Sequence, residues 1–241
     1  MILIRTWAMR IFFKGFNYSQ DGPGNRLVYH LQGCNMRCPW CSNPEGMSFV
    51  GGFEYSTAHI VQECQRSRAM FFSGGGVTFT GGEATVQWEE LIDVLEQLQV
   101  AQIHTAIETN GTSAHLPEIQ RHVDYLMMDF KHYDKEAFRK FTGVEINQLL
   151  QNYEYLCAIH RQLHIRIPLI NHVNTEDPEG FASYLSHFDT SNVVFEFLPY
   201  HEYGKKKWKT EYQITDGFVS ADQLRRFQKV FAEYHLKTIH T

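Results

Sequence analysis

Apolar positions along the chain fall into two patterns that replace each other repeatedly. Short continuous apolar runs bounded by turn residues are typical of buried strands, whereas spacings of three and four residues are typical of helices that cover a sheet. The segment 87–98 illustrates the second pattern, because Trp88, Leu91 and Leu95 fall on one helical face. The chain therefore reads as strands and helices in alternation.

Six strand–helix pairs follow one another in this pattern. The predicted strands are 26–32, 76–80, 103–108, 125–129, 163–168 and 193–198. The predicted helices are 56–68, 87–98, 116–122, 147–159, 179–188 and 220–236. Because such alternation builds a parallel sheet with helices outside, we predict an α/β fold. We expect a single domain over 1–241, with its chemistry at the carboxyl ends of the strands.

Composition and charge narrow the function classes. The chain has 241 residues, 43% of them hydrophobic, which suits one compact domain. Its net charge of −5 gives no general case for nucleic-acid binding, and the basic run at 205–209 reads as a solvated loop. No stretch approaches 18 apolar residues, so we expect no membrane span. Unpaired cysteines point to a reducing cytoplasm.

Three cysteines in eight residues carry the strongest chemical signal. Cys34, Cys38 and Cys41 have the spacing C-x3-C-x2-C. Three thiolates hold a cubane iron–sulfur cluster and leave its fourth iron open for a ligand. A structural zinc site is the alternative, but it needs four ligands, and Cys64 and Cys157 each stand alone. A disulfide is disfavoured by the odd cysteine number and the chain length, so these last two are predicted as core residues.

The cysteine motif, with Trp40 before its last cysteine, resembles the signature of the radical S-adenosylmethionine (SAM) superfamily. Further motifs follow in order at compatible spacing, from about residue 10 to the end of the chain. They are Asp21-Gly-Pro-Gly-Asn-Arg26, Ser73-Gly-Gly-Gly-Val-Thr-Phe-Thr-Gly-Gly-Glu83, Glu108-Thr-Asn-Gly111, Met127-Met-Asp-Phe-Lys131 and Leu198-Pro-Tyr-His-Glu-Tyr-Gly-Lys205. The ordered set resembles the glycyl-radical-enzyme activating enzymes, and most closely the pyruvate formate-lyase type.

This resemblance implies a fold, an activity and partners. The fold is a partial (βα)6 TIM-like barrel that is open on one side. The activity is reductive cleavage of SAM at a [4Fe–4S] cluster, followed by hydrogen abstraction from a glycine of a partner glycyl-radical enzyme. A flavodoxin or ferredoxin-like protein would donate the electron. We expect a cytoplasmic monomer that works under anaerobic conditions. Residues 42–72 contain one cysteine, Cys64, so no ferredoxin-like cluster insert is expected.

The resemblance also assigns roles to individual residues. The cluster ligands are Cys34, Cys38 and Cys41. The predicted catalytic residues are Asp21, Lys131 and Arg166. The predicted cofactor-binding residues are Trp40, Cys41, Ser42, Gly81, Gly82, Glu83, Thr109, Asn110, Asp129, Phe130, Lys131, Arg166 and His201. A monovalent cation would lie among Glu108, Thr109, Met127 and Asp129, with Glu108 in place of the more usual Asp.

Each motif taken alone has a structural alternative. The Gly81-Gly82 pair is common in turns, and Asp129 with Lys131 could form an ordinary surface ion pair. Arg166 could be a structural residue paired with a carboxylate. For the whole chain, the competing hypotheses are a radical SAM enzyme acting on a small molecule and a zinc-binding interaction module.

Overall fold

A computed structural model of the protein describes residues 7–239, in which nine strands and seven α-helices are present. The strands are β1 (Ala8–Tyr18), β2 (Asn25–Leu31), β3 (Phe53–Ser56), β4 (Gly76–Gly81), β5 (Thr105–Thr109), β6 (Tyr125–Asp129), β7 (Leu163–Leu169), β8 (Val193–Pro199) and β9 (Thr238–Ile239). The helices are α1 (Thr57–Arg66), α2 (Trp88–Val100), α3 (Leu116–Ile119), α4 (Lys135–Thr142), α5 (Asn147–Ala158), α6 (Pro178–Leu185) and α7 (Ala221–Glu233). The strand order is β3-β1-β2-β4-β5-β6-β7-β8-β9.

The predicted α/β fold is confirmed. All six predicted strands are present as β2 and β4 to β8, and their ends lie within two residues of the predicted ones. The six predicted helices are α1, α2, α3, α5, α6 and α7, although α3 is a single short turn. Pairing is parallel for β2 with β4, β4 with β5, β7 with β8 and β8 with β9. Among residues 7–239, no helix combines the length and hydropathy that crossing a bilayer requires.

The chain divides into two compact units, which are described separately below. Of the described residues, unit 1 holds 7–34, 45–109 and 115–126, and unit 2 holds 35–44, 110–114 and 127–239. The prediction of one domain over 1–241 also covers 1–6 and 240–241, which lie outside the described residues.

In unit 1, an antiparallel β1–β2 hairpin leads into the parallel strands. The side chains of β2 and β4 are buried almost throughout. Helices α1 and α2 pack through apolar faces that include Ile60, Leu91 and Leu95. The fully buried strands and half-buried helices match the two hydrophobic patterns read from the sequence.

In unit 2, β8 shows which face of the sheet carries the helices. The rings of Phe195 and Phe197 lie 5.5 and 4.8 Å from the ring of Phe231 in α7. Successive side chains of a strand point to opposite faces. Glu196 therefore lies on the face of β8 that α7 does not cover. Helix α7 begins with a capping box, in which Ser220 and Gln223 are bonded reciprocally.

Candidate active site

The cysteine motif lies on an irregular loop that follows β2 and belongs partly to each unit. In unit 1, the Cys34 N–H donates to the Met47 carbonyl at 3.3 Å. In unit 2, the Cys41 N–H donates to the Cys38 carbonyl at 3.1 Å, and the Asn43 N–H points at the Cys41 Sγ at 3.4 Å. An N–H directed at sulfur favours the thiolate, which is the form that binds iron.

The other two cysteines have a different environment. Cys64 and Cys157 are buried in the two units, and burial raises the pKa of Cys64 to about 12 and that of Cys157 to about 11. Both remain protonated thiols near neutral pH, so their predicted role as core residues is confirmed. The thiol donors that fit an iron–sulfur cluster are therefore those of the loop. Within residues 7–239, no three His, Cys, Asp or Glu side chains are grouped to hold a single metal ion.

The Gly81-Gly82 pair lets the end of β4 lie directly against the backbone of residues 31–33. Gly81 has φ +119°, and a Cβ there would lie 2.2 Å from the backbone nitrogen of Leu31. A Cβ on Gly82 would lie 2.3 Å from the carbonyl oxygen of Gly33. Only glycine permits this approach between β4 and the start of the cysteine loop. The turn alternative thus accounts for the pair within unit 1, and its predicted cofactor contact remains a prediction.

Glu83 links the ends of β4 and β5. Its Oε1 accepts hydrogen bonds from the Thr85 backbone N–H at 3.0 Å, the Thr85 hydroxyl at 2.6 Å and the Thr109 hydroxyl at 2.7 Å. Beside it, the Thr80 hydroxyl donates to Glu108 at 2.6 Å. Unit 1 therefore brings the predicted residues Glu83, Glu108 and Thr109 into adjoining hydrogen-bond pairs at two neighbouring strand ends.

The turn that carries Asp21 is held by a buried arginine for which the sequence predicted no role. Arg26 is fully buried and donates through Nη1 to the Pro23 carbonyl at 3.0 Å and through Nε to Thr78 at 2.6 Å. The Thr78 hydroxyl donates in turn to the Asp21 carbonyl at 2.7 Å. Asp21 also accepts a hydrogen bond from Asn17. Its carboxylate is therefore presented on a braced turn.

In unit 2, Asn110 fastens the cysteine loop. Its Nδ2 donates to the Asn35 Oδ1 at 2.8 Å, and its Oδ1 accepts from the Thr112 hydroxyl at 2.6 Å. Asn35 returns a hydrogen bond to Thr112 at 2.8 Å. The amide of the Glu-Thr-Asn-Gly motif therefore supports the segment between the first two cysteines.

Asp129 and Lys131 contact each other, as their spacing predicts. The Lys131 Nζ donates to Asp129 at 2.7 Å. The pair is partly buried, because the Lys131 side chain is 10% exposed and that of Asp129 is 34% exposed. Burial alone would raise the pKa of Asp129, but Lys131, Arg166 and His164 hold it below its usual value. Asp129 is therefore an ionised carboxylate in a cationic setting.

Arg166 lies in the middle of β7 rather than at its end, because the strand continues to Leu169. Its Nε is 3.7 Å from Glu196 Oε2, and the same oxygen is 3.0 Å from the His164 Nε2. The carboxylate partner considered as the structural alternative for Arg166 is therefore present. The sequence pattern did not single out Glu196 or His164, because their proximity depends on the register of β7 with β8.

The side chains of two residues predicted to contact a ligand, Phe130 and Met127, are buried in the core. The Phe130 ring is fully buried, 5.9 Å from the Tyr153 ring and 6.3 Å from the Phe181 ring. Its predicted cofactor contact can therefore involve only the main chain, whose N–H donates to the Arg166 carbonyl at 2.8 Å. Met127 is likewise buried, at 1% exposure.

The lysines of the basic run 205–209 are exposed, as predicted, but segment 204–208 also packs on the cysteine loop. The Trp208 Nε1–H donates to the Cys41 carbonyl at 3.1 Å. The Lys207 Nζ donates to the Ser42 carbonyl at 3.0 Å. A Cβ on Gly204 would lie 2.5 Å from the Ser42 Cα, so only glycine allows this contact.

The remaining predicted residues of unit 2 flank this segment and loop. His201 follows β8, is exposed and stacks on Tyr203 with ring centres 4.2 Å apart. Trp40 packs against Phe141 of α4 with ring centres 6.0 Å apart. In unit 2, Trp40 thus lies on the cysteine loop, and His201 precedes the segment 204–208 that packs on this loop.

Comparison with known proteins identifies the family. The model of the radical SAM superfamily matches residues 28–185. The pyruvate formate-lyase 1-activating enzyme of Escherichia coli (strain K12) is 35% identical, over 91% of this chain and 93% of the relative. The pyruvate formate-lyase-activating enzyme of Clostridium pasteurianum is 33% identical, over 81% of this chain and 85% of the relative.

Solved structures agree. A domain of the pyruvate-formate lyase-activating enzyme from Bacteroides vulgatus ATCC 8482 superposes with a TM-score of 0.59 at 26% identity, covering 69% of this chain and 98% of that domain. Membership of the superfamily implies SAM and a [4Fe–4S] cluster as cofactors, and the three loop thiols fit that donor set. The chain belongs to the radical SAM superfamily and, within it, to the activating enzymes of glycyl-radical enzymes that include the pyruvate formate-lyase activating enzymes.

Proposed function

We propose that this protein activates a glycyl-radical enzyme of the pyruvate formate-lyase type by removing a hydrogen atom from one of its glycines. The observation that carries the proposal is the three-cysteine loop with its hydrogen-bonded support, in a chain similar over 91% of its length to a pyruvate formate-lyase activating enzyme. Residues 1–241 would act as one radical SAM domain. A flavodoxin or ferredoxin-like protein would supply the electron to this cytoplasmic, monomeric enzyme.

The loop thiols Cys34, Cys38 and Cys41 would hold the cluster. When bound, the cluster supplies the electron that cleaves SAM and so produces the radical that takes the glycine hydrogen. Trp208 and Asn110 keep the loop in place by hydrogen bonds to the Cys41 carbonyl and to Asn35. Because these hydrogen bonds already hold the loop, less conformational entropy would be lost when the three thiols bind the cluster.

Two cations of unit 2 suit the anionic end of SAM. Lys131 is buried and donates a hydrogen bond to Asp129, and Arg166 lies on the neighbouring strand β7. We infer that both attract the carboxylate of SAM, while Asp129 orients its positively charged groups. Asp129 and Met127, together with Glu108 and Thr109, are also the proposed ligands of a monovalent cation. Trp40, Ser42, Gly81, Gly82, Glu83 and His201 are the other proposed SAM contacts.

The proposal is tested by mixing the anaerobically reconstituted protein with pyruvate formate-lyase, SAM and a reductant. We expect the glycyl-radical doublet to appear in the electron paramagnetic resonance spectrum of the partner. A partner whose radical-site glycine is replaced by alanine is the control, and it should give no doublet. SAM cleavage without any doublet, over a panel of glycyl-radical enzymes, would favour a small-molecule substrate instead.

A second prediction concerns the pair Asp129 and Lys131. Lys131→Ala should weaken SAM binding about 10- to 100-fold, because it removes a charge-assisted contact, while leaving the iron content unchanged. Asp129→Asn should slow SAM cleavage, also without loss of iron. Equilibrium binding of radiolabelled SAM measures the affinity, 5′-deoxyadenosine release measures the cleavage rate, and iron analysis measures the cluster content.

The exposed pair Lys229–Glu233 on α7 provides the matched control, since its side chains are 78% and 59% exposed. Lys229→Ala should change SAM binding by less than about two-fold. Unchanged SAM affinity in Lys131→Ala would remove this lysine from the binding site.

A further inference from the structure

A buried carboxylate in unit 2 lies between two nitrogen-bearing side chains. Oε2 of Glu196 is 3.0 Å from the His164 Nε2 and 3.7 Å from the Arg166 Nε. The side chains of Glu196 and His164 are each 6% exposed, and that of Arg166 is 16% exposed. Buried ion pairs add little net stability compared with apolar residues of the same size. A purely stabilising role therefore explains this group poorly.

Strand geometry directs all three side chains to one face. Arg166 and Glu196 are register partners in the parallel pair of β7 and β8, and His164 precedes Arg166 by two residues. Residues two apart in a strand share a face, so these side chains lie opposite Phe195 and Phe197, which pack on α7. The carboxylate thus lies on the face that the helix leaves uncovered.

His164 and Arg166 also interact electrostatically with Asp129, which belongs to the pair Asp129 and Lys131 proposed to bind SAM. Lys131, Arg166 and His164 together hold the pKa of Asp129 below its usual value in spite of its burial. In this group the carboxylates of Asp129 and Glu196 face the charges of Lys131 and Arg166. Glu196 therefore determines how much of the Arg166 charge is compensated from within the protein.

Both separations, 3.0 Å from the His164 Nε2 and 3.7 Å from the Arg166 Nε, are ion-pair distances to the same oxygen of Glu196. Glu196 thus acts on the guanidinium by charge. An arginine fork binds a carboxylate only in a defined orientation.

We propose that Glu196 is a positioning residue that fixes the guanidinium of Arg166 in the orientation that receives SAM. This proposal rests on the proposed function, because it requires Arg166 to contact SAM. It assigns β8 a part in SAM recognition that none of the sequence motifs indicates.

The test begins with Glu196→Gln, which keeps the side chain's size and removes its charge. We expect the Kd for radiolabelled SAM to rise about ten-fold in the cluster-loaded protein, as is typical when the group that orients a ligand-binding residue is lost. Turnover at saturating SAM should fall much less than the affinity does. Glu233→Gln, on the exposed face of α7, is the matched control and should leave the Kd unchanged.

A double-mutant cycle separates positioning from a merely structural role. If Glu196 acts through Arg166, the variant Arg166→Gln and the double variant Arg166→Gln with Glu196→Gln should bind SAM equally, within about two-fold. The double variant also covers the case in which Glu196→Gln alone fails to fold, because it leaves no buried arginine without its carboxylate. Melting temperatures of the cluster-free proteins report any structural contribution separately.

The outcomes are distinct. An unchanged Kd in Glu196→Gln, or a double variant about ten-fold weaker than Arg166→Gln, overturns the positioning role. Failure of the wild-type protein to cleave SAM contradicts the proposed function instead. Coupled losses of SAM affinity, with melting temperatures close to wild type, establish Glu196 as the residue that positions Arg166.

Discussion

Replacing Cys34, Cys38 or Cys41 by alanine is expected to abolish radical formation completely. Two thiolates on one loop do not hold a cubane cluster, so each variant should lose most of the roughly four irons per chain expected after anaerobic reconstitution. Iron and sulfide analysis measures the cluster, and electron paramagnetic resonance of the partner glycine measures the radical. This is the largest effect expected from any single substitution in the protein.

The two remaining cysteines are built-in controls. Cys64→Ala and Cys157→Ala should keep the full iron content, since burial raises both thiol pKa values and neither lies on the loop. Their expected cost is a stability loss of about 1 kcal/mol from the removed sulfur. Cluster loss in Cys64→Ala as complete as that in Cys38→Ala would show that the three-ligand assignment is wrong.

Cleavage of SAM by the protein alone is expected to be slow, and a peptide copying the partner's glycine loop should accelerate it by about 100-fold. The reason is that a radical able to take a backbone glycine hydrogen must form in a site closed to water. In the proposed mechanism, the partner's loop supplies that closure and places its glycine at reacting distance. The measurement is the rate of 5′-deoxyadenosine release with the peptide and with a scrambled version.

Charge reversal gives this experiment its control. Lys206 and Lys209 are exposed, whereas Lys207 donates to the cysteine loop, so Lys206→Glu and Lys209→Glu test the surface without disturbing the loop. These changes should weaken engagement of the full partner more than that of the peptide, and the difference should shrink at high salt. Equal, fast cleavage with and without any polypeptide would contradict the activation of a glycyl-radical partner.

Local patterns predicted most elements of this fold but not all of them. Helix α4 was missed because only Phe138 and Thr142 are buried, which leaves too short an apolar repeat to recognise. Its start and stop signals, Asp134 and Gly143, are nevertheless present in the sequence. Strand β1 was missed because exposed aromatic residues such as Phe13 and Phe16 interrupt the alternation of apolar and polar positions.

In the candidate site, too, some contacts were predictable from the local sequence and others were not. The Asp129–Lys131 contact was predictable because the two residues are neighbours on one strand end. The hydrogen bond from Trp208 to Cys41 joins residues 167 positions apart, and Glu196 meets Arg166 only through the register of two strands. No local pattern encodes such pairs, since they depend on how distant segments are brought together.

In the proposed enzyme, the contact of segment 204–208 with the cysteine loop would couple the binding of the cluster to the binding of SAM. Trp208 and Lys207 hold the carbonyls of Cys41 and Ser42, while the same segment continues directly from His201. Ordering the loop around its cluster would therefore also order the region of His201, one of the proposed SAM contacts. By reciprocity, SAM stabilises the loop by the same free energy with which the loop favours SAM. Abundant SAM would then protect the loop that carries the proposed cluster, the most oxygen-sensitive part of such an enzyme.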